Sequence, residues 1–93
     1  MLMLTVHIFI SGRVQGVGYR AWVAEQAQMR GLAGWVRNLR DGRVEAVFHG
    51  ERQTISDMVD ACRSGPPAAG VSGVTNQAWS GALPEGFSVL PTA

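Results

Sequence analysis

Nine residues near the start of the chain, Gly12-Arg13-Val14-Gln15-Gly16-Val17-Gly18-Tyr19-Arg20, are the ones whose types and spacing could do chemistry. Gly16 and Gly18 can take backbone angles closed to other residues, and a loop that does so turns successive N–H groups to one side as an anion-binding nest. A helix starting at Tyr19 would add its unpaired first amides and the positive end of its dipole. Arg20 falls in or beside that first turn, where a guanidinium can grip two phosphate oxygens with a rigid fork. Spacing alone leaves the plainer reading open: a tight glycine turn followed by a solvated arginine. The loop is neither a Walker loop, lacking Lys and Ser/Thr, nor a full dinucleotide fingerprint.

Composition narrows the chemistry further. All eight basic residues are arginines, so a catalytic or phosphate-gripping lysine is excluded and anions must be held by arginine or backbone amides. Eight basic against seven acidic residues leave a formal charge of +1, too little to collect a polyanion such as nucleic acid. Cys62 is the single cysteine, so no internal disulfide forms, and no Cys/His cluster has metal-ligand spacing; a reducing cytoplasm fits best. The apolar run Met1 to Ile10 lacks a basic start and a small-residue cleavage site, and no stretch approaches the roughly 20 apolar residues of a membrane span.

Positioning the loop requires a strand before it and a helix after it. Leu4, Val6, Ile8 and Ile10 alternate with Thr5, His7, Phe9 and Ser11, the period of a half-buried strand. Tyr19 to Arg30 holds no Gly or Pro and sets Val23 with Ala27, and Trp22 with Gln26 and Met29, at helical spacing up to Gly31. Trp35–Leu39 and Arg43–Phe48 flank Arg40-Asp41-Gly42, a hairpin signal. Ile55, Met58, Val59 and Cys62 form the stripe of a second helix, with Thr54 and Asp57 resembling a capping box and Gly65-Pro66-Pro67 as its stop. Val71–Trp79 is a weaker strand, because Gly73 interrupts it and Asn76 shares the face of Val74 and Ala78; Phe87 and Val89 suggest a last short one. The expected fold is α+β, a ferredoxin-like βαββαβ sandwich: an antiparallel sheet of four strands plus a short fifth, two helices on one face, and a single domain over 1–93. That fold by itself names no function.

The loop motif, followed by Gly31-Leu32-Ala33-Gly34-Trp35-Val36-Arg37-Asn38, closely resembles the acylphosphatase family, and the likeness continues through Asp41-Gly42, Val44-Glu45, Gly65-Pro66-Pro67 and Phe87 to Thr92. The resemblance implies that the backbone from Arg13 through Val14, Gln15, Gly16, Val17 and Gly18, with Arg20, binds the phosphoryl group, and that Asn38 orients the attacking water. It implies cleavage of the carboxyl-phosphate bond of acyl phosphates, with inorganic phosphate as a product and ligand, without metal or cofactor, in a monomer. The chemistry agrees with what the loop lacks. It has no Cys, Ser, His or Asp to form a phosphoenzyme and no carboxylate cluster for magnesium. A carboxylate leaving group departs without a proton, so no general acid is required.

His7 and His49 read as structural or solvated, Cys62 as core, Trp22, Trp35 and Trp79 as packing residues, and Arg13, Arg37, Arg40 and Arg43 as surface charge that also draws anions. Arg30 stands where the family usually has leucine and Tyr19 where phenylalanine is common. Two rivals remain. An RNA-binding module shares the element order, although Arg43 to Gly50 fails its sequence signature. A non-catalytic regulatory domain of the same family is the other.

Overall fold

The computed structural model describes residues 2–93; Met1, which opens the apolar N-terminal run, lies outside them. The elements follow as β1 (Met3–Arg13), α1 (Tyr19–Met29), β2 (Ala33–Asn38), β3 (Val44–Glu51), α2 (Arg52–Ser64), β4 (Gly70–Ala78) and β5 (Phe87–Val89). They build one five-stranded sheet in the order β4-β1-β3-β2-β5. Alternation along the strands sends Ile8, Ile10, Val36, Val44, Ala46 and Phe48 to the helix side, where Tyr19, Val23 and Ala27 of α1 and Ile55, Met58, Val59 and Cys62 of α2 close over them. Each buried Val, Ile, Phe or Met side chain among them contributes about 1.5–3 kcal/mol.

The first four strands pair antiparallel, as expected, but β5 runs parallel to β2. After β4 the chain crosses to the opposite edge and reverses; since β2 already runs against β4, the reversal aligns β5 with β2. Phe87 fixes this strand by stacking on Phe48, ring centroids 5.9 Å apart. The rings meet across Gly34, which pairs with both residues and where a side chain would collide with the Val47 carbonyl. Beyond β5 the tail stays docked: Leu90 N–H donates to the Val36 carbonyl and Ala93 N–H to that of Asn38, while Arg40 N–H donates to Ala93.

Three local expectations change. Thr54 and Asp57 do not cap α2, because β3 runs straight into the helix at Glu51, which makes no side-chain cap; the Arg52 amide instead donates to the Leu2 carbonyl at 3.0 Å. Asn76 does fall on the helix side of β4, yet stays exposed, at the mouth of an open cleft that it lines with Ile55, Ser56 and Val59 of α2. Trp22 packs on the core, but Trp35 and Trp79 lie on the helix-free face, 6.0 Å apart edge-to-face and both beside His7. The parity of β2 decides this: with Val36 inward, Trp35 and Arg37 must face outward. There Glu45 is buried between His7 Nε2 at 2.6 Å and Arg37 Nε at 2.7 Å.

Candidate active site

The strand β1 delivers the loop, and two valines fix its path: Val14 is buried in the core and Val17 packs partly against it. Between and after them Gly16 and Gly18 adopt φ of +73° and +76°, the left-handed region that side chains disfavour. Gly18 is the N-cap of α1 and no side chain caps that terminus; its first turn carries no acidic residue to neutralise the positive dipole end. The first helical bond runs from Trp22 N–H to the Gly18 carbonyl at 3.0 Å, so the amides of Tyr19 to Ala21 have no intrahelical partner. The loop therefore presents a turn of unpaired donors and positive potential.

Asn38, the last residue of β2, reaches the same place from across the sheet. It pairs with Val44, which pairs with Ile10 near the end of β1, so three adjacent strands end at one edge beneath the loop. A cavity of about 190 Å³ results, lined by Val14, Gln15, Gly16, Gly18, Tyr19, Arg20, Ala21 and Asn38. Arg20 is partly exposed there, and among the described residues its side chain makes no hydrogen bond or ion pair. The Asn38 Oδ1 is buried and has no hydrogen-bond partner among the described residues. An orphaned buried carbonyl costs about 1–3 kcal/mol, and native structures keep few of them.

Of the residues expected to bind phosphate, the fold gathers Val14, Gln15, Gly16, Gly18 and Arg20 around the cavity with Asn38. Arg13, the exposed last residue of β1, and Val17, turned to the core, do not line it. The side chain of Gln15 turns away from the loop's own amides to the β2–β3 hairpin, donating from Nε2 to the Leu39 carbonyl at 2.8 Å and the Arg43 carbonyl at 2.9 Å. Tyr19 and Ala21 are lining residues that the sequence did not single out as such. Both stand in the first helical turn after the loop, and that position was the available signal.

The groups near the cavity are ill suited to covalent or proton-transfer roles. Tyr19 donates its hydroxyl to the Cys62 carbonyl at 2.7 Å, and burial raises its pKa far above the ordinary phenol range. Burial also pushes the Cys62 thiol up to about 12, leaving no thiolate near neutrality. Among the described residues no three His, Cys, Asp or Glu side chains come together as metal ligands. In the hairpin turn, Arg43 holds Asp41 through its guanidinium and its amide, at 2.9 and 3.0 Å, and keeps that carboxyl below its usual range.

A glycine-rich strand-to-helix loop, an arginine without a side-chain partner among the described residues and an asparagine with a buried, unpartnered Oδ1 thus meet at one edge of a ferredoxin-like α+β sandwich. Known proteins make this specific. Residues 6–89 match the acylphosphatase family model. An acylphosphatase of Bradyrhizobium diazoefficiens is 53% identical over 94% of each chain. The acylphosphatase of Bacillus subtilis superposes with a TM-score of 0.88 at 36% identity, covering 96% of this chain and 99% of that one. An acylphosphatase of Coxiella burnetii does so with 0.89 at 38% identity over 95% and 93%. The chain belongs to the acylphosphatase family, a family of hydrolases.

Proposed function

We propose that this chain hydrolyses acyl phosphates to a carboxylate and inorganic phosphate by direct attack of water on phosphorus, with Arg20 and Asn38 as its catalytic residues. The amides of the loop and the first turn of α1, with Arg20, bind the three peripheral phosphoryl oxygens and stabilise the charge they carry in a loose transition state. Arg13, exposed beside the loop, draws the anion toward it. Asn38 accepts a hydrogen bond from the attacking water through Oδ1 and holds it in line with the departing carboxylate. The observation that carries this reading is that Asn38 lines the same cavity as Arg20 while its Oδ1 is buried and without a partner among the described residues.

The asparagine positions water rather than deprotonating it, since an amide is too weak a base. The leaving carboxylate needs no proton at neutral pH. No lining residue offers a Cys, Ser, Thr, His or carboxylate as nucleophile or metal ligand, and the one hydroxyl, on Tyr19, is engaged by Cys62. We propose that the reaction proceeds without metal or cofactor, which hydrolysis in the presence of a chelator tests. A buried lone cysteine fits a reducing cytoplasm, and we place the enzyme there as a monomer acting on a small-molecule substrate.

The helix-free face speaks against the RNA-binding reading. Arg43 lies over the Phe9 ring at 4.7 Å and Arg37 over Trp35 at 4.8 Å, so guanidinium groups occupy positions over rings on which bases would stack. Against a purely regulatory role stand Arg20 and Asn38, both present and both in the cavity. The test is metal-free hydrolysis of benzoyl phosphate beside Asn38→Ala. The variant is expected to lose about two to three powers of ten in kcat while inorganic phosphate inhibits it as well as the wild type. Wild-type turnover in the variant removes asparagine from the mechanism.

A further inference from the structure

We infer that Gln15 is a positioning residue for Asn38: its side-chain amide ties the phosphoryl loop to the hairpin that carries the water-orienting asparagine. The inference rests on the roles proposed above for the loop and Asn38. Gln15 Nε2 spends both of its N–H groups on the hairpin, one on Leu39 and one on Arg43, the two carbonyls at the base of the turn. Leu39 directly follows Asn38, so the bond fixes the next peptide along from the residue that must aim.

These bonds are not needed to satisfy the hairpin. The Leu39 carbonyl already accepts from Gly42 N–H at 3.2 Å and the Arg43 carbonyl from Leu39 N–H at 2.8 Å. A carbonyl oxygen with two lone pairs takes the extra donor, and what the donor adds is a link between two segments 24 and 28 residues apart in sequence. The loop holds the phosphoryl group and the hairpin holds the water, and in-line attack depends on their separation. A misplacement of about 1 Å at a reacting centre costs on the order of a hundredfold in rate. The length of the glutamine side chain and the two donors on its one nitrogen make this tie.

The test is Gln15→Met, which keeps length and bulk, removes both donors and orphans neither carbonyl. It is measured alone and combined with Asn38→Ala in hydrolysis of benzoyl phosphate, with inhibition by inorganic phosphate as the readout of the loop. Gln15→Met is expected to lower kcat about ten- to a hundredfold, to leave the phosphate inhibition constant within about twofold, and to cost less than about threefold when Asn38 is already alanine. Three results overturn the inference: unchanged kcat, a loss that multiplies in full on top of Asn38→Ala, or phosphate inhibition that weakens in step with kcat. If Asn38→Ala itself turns over like the wild type, the water-orienting role fails and the inference with it. A wild-type Gln15→Met beside an impaired Asn38→Ala defeats the inference alone.

Discussion

Asn38 carries a cost that the fold would shed if it could. Its buried Oδ1 has no partner among the described residues, whereas an apolar side chain there would leave nothing unsatisfied. Asn38→Ala is therefore expected to leave the melting temperature unchanged or raise it while turnover collapses, a separation readable by calorimetry on the variant used for kinetics. Arg20 gives the complementary case. Its side chain has no protein partner among the described residues, so Arg20→Lys should fold normally. A single ammonium cannot copy a bidentate fork, so that variant is expected to lose at least about tenfold in kcat/KM and to weaken phosphate inhibition together; equal activity with lysine would show that charge alone suffices. Spacing after the glycines made Arg20 a candidate but left a solvated arginine as an equal reading. Asn38 had no local signal: nothing distinguishes an asparagine at a strand end, and it was singled out only through the resemblance, while the register of three strands is what brings it beside the loop.

The elements explain the departures from the family's usual residues. At the end of α2 the Cys62 carbonyl would ordinarily accept from the amide four residues on, but that residue is Pro66, which has none. Tyr19 fills the gap from α1, donating its hydroxyl to Cys62. Tyr19→Phe is expected to cost about 1–3 kcal/mol in denaturant unfolding by orphaning that carbonyl, with kcat within about threefold of wild type; an unchanged midpoint would mean that the bond contributes nothing. Arg30, at the C-cap of α1, turns back to donate to the Gln26 carbonyl at 3.2 Å and its side-chain oxygen at 2.7 Å. The strands and helices themselves were plain from period and punctuation. Less legible was whatever depended on a distant segment: α2 starts early because Leu2 satisfies Arg52, and the direction of β5 follows from the crossing and from Phe87 meeting Phe48. No local pattern encodes such partners.

Across the whole molecule the two faces of the sheet divide the work, one building the core and the cavity edge, the other holding a charged network under aromatic rings. Burial alone would raise the pKa of Glu45, but hydrogen bonds from His7 and Arg37 outweigh it and leave the carboxyl below its ordinary value. A depressed carboxylate contributes stability that is present above its unfolded pKa, about 4.3, and is lost as pH falls through the folded value. Stability should thus decline below about pH 4.3 more steeply in the wild type than in Glu45→Gln, which at neutral pH is expected to be about 1.5–3 kcal/mol less stable. Parallel acid profiles would show that Glu45 is not the group concerned. His7, Arg37 and Glu45 do not line the cavity, so kcat at pH 7 should survive the change.

The central claim is that the loop and Arg20 hold a phosphoryl group while water, aimed by Asn38, attacks its phosphorus. It is tested most directly by hydrolysing benzoyl phosphate with the wild-type protein in ¹⁸O-labelled water and weighing both products. The account predicts rapid metal-free turnover with one labelled oxygen in each inorganic phosphate and none in benzoate. Label in the benzoate, or no hydrolysis above the uncatalysed rate, would contradict it.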